Sequence, residues 1–319
     1  MTFKINGCSN KLTISTFIPE IPVKARWAQN PVTVVGGNGR ANATNQLAYS
    51  RGLFADDYQT SVIADIWNHR IVQWMKDDMN GQVVAGGRPY WWRHPSKGLW
   101  VGKVTLSRNF ATAGDRGRGD RLDQWKYPTD VLIDKETDSL IISDYENGRV
   151  VRWSRQSGTT QGEILINYIF CIGLAMDDQR NLYVSRPDAV RRYQIGDKQG
   201  THIAGDIGQG SGLNQLKESR YVFVDRQQTV YVPDCFNHRA MKWNKGATEG
   251  IVVAEVHGNG NALNQLAFPN GLLVDTLDIL YVTEFRNDRV MRWPKGARQH
   301  SKKKVSHKTS SKQFKKKVL

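Results

Sequence analysis

The chain repeats one segment along its length, and that repetition constrains its fold more than any other feature. Asn68-His69-Arg70-Ile71-Val72-Gln73-Trp74 returns as Asn147-Gly148-Arg149-Val150-Val151-Arg152-Trp153 and as Asn237-His238-Arg239-Ala240-Met241-Lys242-Trp243. It returns again as Asn287-Asp288-Arg289-Val290-Met291-Arg292-Trp293, and a degenerate copy ends in Val190-Arg191-Arg192-Tyr193. Copies in a row imply an array of one supersecondary unit, each burying its apolar face against the next.

Short apolar runs closed by Asp precede each copy: Gly52-Leu-Phe-Ala-Asp56, Asp130-Val-Leu-Ile-Asp134, Gly173-Leu-Ala-Met-Asp177, Tyr221-Val-Phe-Val-Asp225 and Gly271-Leu-Leu-Val-Asp275. A second run follows, as in Val62-Ile63-Ala64-Asp65 or Leu280-Tyr281-Val282-Thr283-Glu284. These runs are short, β-branched or aromatic, and bounded by Asp, Asn and Gly, and no period near 3.6 is sustained; they predict strands. The Arg-Val-x-x-Trp segment predicts a third strand. A fourth ends in Gly-rich loops, as in Val83-Val84-Ala85-Gly86-Gly87 and Val252-Val253-Ala254. The closing aspartates are 43 to 50 residues apart except between Asp56 and Asp134, where residues 88–114 interrupt the pattern. A four-strand unit of roughly 40–50 residues has the size of a propeller blade.

Asp-x-x-Asn-His-Arg-Val-x-x-Trp after a Leu-Tyr-Val strand resembles the NHL repeat. So do the loops Gly37-Asn38-Gly39…Asn45-Gln46-Leu47, Asn214-Gln215-Leu216 and Gly258-Asn259-Gly260…Asn264-Gln265-Leu266. The resemblance covers residues 31–87 and 115–294. It implies an all-β β-propeller of NHL type, with five recognisable four-stranded blades where the family usually has six. The third blade departs from it, reading Ser185-Arg186-Pro187-Asp188-Ala189, and no further copy follows Trp293. The ring is therefore either closed or an open arc. Blade five supplies three strands, and Thr33–Gly36 is expected to add the fourth against Val290–Trp293, because a bare strand edge is a template for misplaced pairing.

Charge divides the chain. The net charge is +15, yet residues 295–319 carry ten Lys/Arg and residues 88–114 five, both without acids, so the remainder is neutral. Three regions result: an ill-defined N-terminal segment (1–30), the propeller (31–294) with its basic, aromatic insert at 88–114, and a lysine-rich tail (295–319) too polar to bury a core. Trp91, Trp92 and Trp100 in the insert mix with basic residues as in a single-strand stacking platform, although an insertion between blades is most simply a surface loop. Cys8, Cys171 and Cys235 are odd in number and form no CxxC, which excludes a zinc finger, a RING and a disulfide framework. No 18-residue apolar run exists, so neither a signal peptide nor a transmembrane helix is expected; a cytoplasmic location is favoured, with a nuclear one open through the tail.

The polar repeat positions bear on function. Asp65, Asp144, Asp234 and Glu284 each sit near Arg70, Arg149, Arg239 and Arg289; tying their own turns is the simpler use, a metal-binding carboxylate ring the sharper one. Trp74, Trp153, Trp243, Trp293 and Tyr193 are expected between blades. The turns also carry Trp67, Tyr145, Phe236 and Phe285, one aromatic per intact blade. With the four arginines these form an expected partner-binding rim, since aromatics and Arg dominate interface hot spots. The resemblance implies a non-enzymatic binding scaffold for a protein or other macromolecule, like the recognition module of NHL-containing ubiquitin ligases but without the RING. Two alternatives stand: a metal-dependent propeller enzyme of the peptide-amidating lyase or lactonase kind, and RNA binding through the insert and tail. No cofactor, no metal site and no membrane partner are read from the residues.

Overall fold

The computed structural model describes residues 13–14, 38, 41–55, 60–75, 78–86, 119–156, 159–254, 259–262, 265–275, 277–287 and 289–293. The insert, the tail and the Thr33–Gly36 strand expectation lie outside these.

Five antiparallel blades form a ring. Blade one holds β2 (Ser50–Ala55), β3 (Ser61–Asp65), β4 (Arg70–Trp74) and β5 (Gln82–Gly86), and a short β1 (Thr13–Ile14) is added to its inner edge. Blade two holds β6 (Pro128–Asp134), β7 (Ser139–Asp144), β8 (Arg149–Ser154) and β9 (Glu163–Asn167). Blade three holds β10 (Gly173–Met176), β11 (Leu182–Ser185), β12 (Ala189–Tyr193) and β13 (Thr201–Gly205). Blade four holds β14 (Phe223–Val224), β15 (Val230–Asp234), β16 (Arg239–Trp243) and β17 (Ile251–Ala254). Blade five has three strands among the described residues: β18 (Pro269–Val274), β19 (Leu280–Glu284) and β20 (Arg289–Trp293).

Consecutive inner strands β2, β6, β10, β14 and β18 are neighbours. At the seam, β1 runs parallel to β2 and also lies beside β18. The sequence carries no repeat signal at β1, so an element appears where the N-terminal segment was left undefined.

Second strands read as unbroken apolar runs because both of their faces are covered by neighbouring blades. β3, β7, β11 and β15 are buried from end to end, whereas β19 alternates between buried and half-buried. Third and fourth strands slip register at one recurrent place, between Ile71 and Val72, Val150 and Val151, Val190 and Arg191, and Ala240 and Met241. Such a bulge bends the outer strand and steepens its twist.

Trp153, Tyr193, Trp243 and Trp293 share clusters with the preceding blade, as the pattern implied, whereas Trp74 clusters with residues of blade one. Trp74, Trp153, Trp243 and Tyr193 are buried, and Trp153 packs edge-on to Trp125. Each aromatic lies over a glycine before the fourth strand: a Cβ built on Gly81 or Gly250 would come within 2.6–2.7 Å of the ring of Trp74 or Trp243.

Candidate rim and its supporting network

The Asp-x-x-Asn-x-Arg signature builds one device four times. The second strand ends in a carboxylate, and in blades one, two and four a single 3-10 turn follows: Ile66–Asn68, Tyr145–Asn147 and Cys235–Asn237. The next residue is left-handed, His69 at φ 51°, Gly148 at 62° and His238 at 55°, a conformation that Gly adopts freely and His adopts more readily than most. The third strand then starts with Arg directly opposite the carboxylate.

In blade two, Asp144 Oδ2 accepts from Arg149 Nε and Asn147 Nδ2 at 2.7 Å each, and Oδ1 accepts from the Lys126 N–H at 2.7 Å. Arg149 directs three further N–H donors to the carbonyls of Asp120, Arg121 and Gln124, at 2.7, 2.6 and 2.9 Å. Those carbonyls belong to the loop arriving from blade one. Arg70, Arg239 and Arg289 grip the corresponding loops at Asn42–Gln46, Ser211–Gln215 and Asn261–Gln265 in the same way. Two sequence signatures far apart in the chain, the turn and the Asn-Gln-Leu loop, are thus halves of one clamp. In blade five Glu284 replaces Asp and still accepts from Asn287, Arg289 and the Ala267 N–H.

These ions are buried. Burial raises the carboxyls of Asp65, Asp144 and Asp234 above their ordinary value, against the opposing pull of Arg, Asn and backbone donors. Arg70, Arg149 and Arg239 are buried as well, and Arg289 is only partly open. The arginines grouped with the rim in the sequence are therefore turned inward and hold loops, and the carboxylates that a metal ring would need accept from arginine, asparagine and backbone donors instead.

The histidines of the signature staple blade to blade. His69 Nδ1 accepts from the Tyr127 N–H and His238 Nδ1 from the Phe268 N–H, at 3.2 Å each, which requires the neutral ring with its proton on Nε2. Burial and nearby Arg286 hold the His238 pKa below its usual value.

On this frame stand the turn aromatics. Trp67, Phe236 and Phe285 are 51%, 44% and 41% exposed, and Tyr145 is half-buried. Each packs locally. Trp67 stacks on Tyr49 with centroids 3.8 Å apart, Tyr145 meets Phe170 edge-on, and Phe236 meets Phe268, over which Arg286 lies at 4.8 Å. The turns and the blade-to-blade loops share one face, since the Trp67, Glu146, Phe236 and Phe285 N–H groups donate to Ala48, Lys126, Lys217 and Phe268. The sequence reading missed the exposed Tyr168 and Phe170 on the loop between blades two and three, because blade three lacks the signature that would have marked them.

Asp130 was also missed. It occupies the inner-strand position held by Gly52, Gly173 and Gly271 in other blades. Its carboxyl is buried, accepting from Val131 N–H of its own strand and Leu174 N–H of blade three, with Gly52 of blade one against it. No cation pairs with it among its hydrogen-bond partners, and burial pushes its pKa up to about 7. A folded-state value above the unfolded 3.8 means that the folded chain keeps a proton the unfolded chain has lost. Stability from this group is therefore full below about pH 4 and falls as pH rises toward 7. Melting temperatures across pH 4.5–7.5 are expected to decline more steeply for the wild type than for Asp130→Asn; parallel profiles would show that Asp130 does not titrate there. Neither described thiol is activated: burial pushes Cys235 to about 11 and raises Cys171 further.

No protein-family model matches the sequence, and no curated protein matches it. Solved structures do, 345 chains in all. A chain of the nidogen/laminin complex is 14% identical with a TM-score of 0.53, over 79% of this chain and 78% of that one. A streptogramin B lyase is 7% identical at TM-score 0.46, over 80% and 70%. A protein of unknown function from Bacteroides thetaiotaomicron is 12% identical at 0.40, over 82% and 73%. The first of these likenesses is one of fold.

Proposed function

We propose that this propeller is a binding scaffold of NHL type, whose aromatic rim engages a protein partner. The observation that carries the reading is the exposure of Trp67, Phe236 and Phe285 on turns whose backbones are clamped by buried Asp–Arg or Glu–Arg pairs. Aromatic side chains held on rigid turns lose little freedom on binding, which is the property that makes hot spots efficient. Arg70, Arg149, Arg239 and Arg289 then support the rim from beneath, and Phe170 and Arg286 extend it.

A protein is favoured over RNA because the excess charge sits outside the repeats, whose residues 31–87 and 115–294 carry a net charge of −3. It is favoured over a propeller enzyme because the carboxylates, arginines and histidines of the repeat are engaged in turn and loop structure. Among the described residues, no helix is long and apolar enough to cross a membrane.

Capture of a partner by the full chain tests this. Trp67→Ala and Phe236→Ala are expected to weaken capture by about tenfold or more each, as hot-spot truncations do, with unchanged melting temperature. Deleting residues 298–319 is expected to remove only a salt-sensitive component. Binding that follows the tail and ignores both aromatics would overturn the reading.

A further inference from the structure

The rim differs in charge from blade to blade. The second residue of the signature turn is Trp67 in blade one, Glu146 in blade two, Phe236 in blade four and Arg286 in blade five. Blade five thus brings a cation where blade two brings an acid.

Phe268 stands at the centre of the sector that blades four and five share. It is left-handed at φ 52° just before β18. Its ring meets His238 edge-on at 4.6 Å and Phe236 at 5.7 Å, and the Arg286 guanidinium lies over it at 4.8 Å. Its carbonyl accepts from the Phe285 N–H at 3.0 Å. The turns of both blades are therefore tied to one residue, while Phe236 stays 44% and Phe285 41% exposed.

Arg286 is exposed and pairs with no carboxylate among the described residues. A guanidinium resting on a ring face keeps its N–H edge for a planar acceptor, and a carboxylate fits that edge with two hydrogen bonds. Two further cations stand on the loop that enters blade four. Lys217 is exposed, and its carbonyl accepts from the Phe236 N–H at 3.1 Å. Arg220 is half-buried and, with Glu218, acts on the Cys235 thiol, which sets both beside the Phe236 turn. Neither Lys217 nor Arg220 has a carboxylate partner among the described residues, whereas Arg186 and Arg191 of blade three pair with Asp188 and Asp206.

We propose that this sector binds a short acidic and apolar peptide segment of a partner protein, with a carboxylate on Arg286 and a Leu, Ile or Phe side chain against Phe236 and Phe285. The assignment rests on the rim being the binding surface. Three cations beside Glu218 match the few charges of a short acidic run. A polyphosphate chain is disfavoured by the net charge of −3 on the repeats.

Phage-displayed random peptides, cleared first on synthetic peptides of residues 88–114 and 295–319 and then panned on the full chain, test this. The clearing removes sequences held by basic charge alone. Enriched peptides are expected to carry Asp or Glu close to Leu, Ile or Phe. Labelled with fluorescein, they are expected to bind Arg286→Gln and Phe236→Ala at least about tenfold more weakly than the wild type and Trp67→Ala equally well. Their Asp/Glu→Lys counterparts are expected to prefer Arg286→Glu. Unchanged melting temperatures of these exposed-site variants separate lost binding from lost folding. Peptides without acids, or peptides that need Trp67 and ignore Arg286, would overturn the assignment and leave the rim standing. No enrichment, or indifference to every rim aromatic, would overturn both. A labelled oligouridylate whose binding is lost in Arg286→Gln would overturn the assignment in favour of nucleic acid.

Discussion

Arg149→Ala is expected to destabilise the protein by roughly 3–5 kcal/mol, because it strands the buried Asp144 carboxylate without its counterion. The loss is compounded: the carbonyls of Asp120, Arg121 and Gln124 lose their donors together, and the loop joining blades one and two loses its anchor. Arg152 serves as the control. It pairs at 3.1 Å with Glu163, whose side chain is 63% exposed, and such pairs contribute about 0–1 kcal/mol. Chemical denaturation of the two variants gives the comparison. A double variant, Arg149→Ala with Asp144→Asn, is expected to cost less than the sum of its parts, since removing both charges removes the stranded ion. Equal losses for Arg149→Ala and Arg152→Ala would show that the buried clamp contributes nothing special.

Trp243→Ala is expected to cost a similar amount, roughly 3–5 kcal/mol, by a different route. The ring is buried in a cluster with Tyr183 and Val190 of blade three and Val232 of its own blade. Its lower edge lies on Gly250, where no side chain is available to swing into the space. The cavity therefore stays open, and dispersion contacts are lost on several sides. Trp67→Ala provides the contrast: a half-exposed ring on a turn is expected to change stability by about 0.5 kcal/mol or less. Matching melting shifts for the two would mean that one of them is misplaced.

The repeat pattern was legible because strand punctuation and a recurring Trp survive drift. The four-stranded order of blades one to four, the three strands of blade five and the buried third-strand aromatics can all be read from local residue types. The clamp was half legible. Asp65 and Arg70 are five residues apart and visibly a pair, but the carbonyls that Arg70 grips lie 24 to 28 residues away and carry no side-chain signal. Asp130 and Phe170 could not be found by pattern at all. One sits where other blades have Gly, and the other precedes the one blade that lost its signature.

What the sequence determines by itself, then, is the unit: its strands, its turn residues and the apolar faces that must be covered by neighbours. Those properties depend on residue type and on spacing within about 50 residues. The tertiary structure alone decides which groups become buried and which stay in water. It turns four arginines inward while leaving Trp67, Phe236 and Phe285 outside, and it raises the Asp130 carboxyl by surrounding it with three blades. It also leaves Val290 open where its four equivalents are sealed, because burial depends on what packs from beyond the repeat, and no repeat encodes its own neighbour.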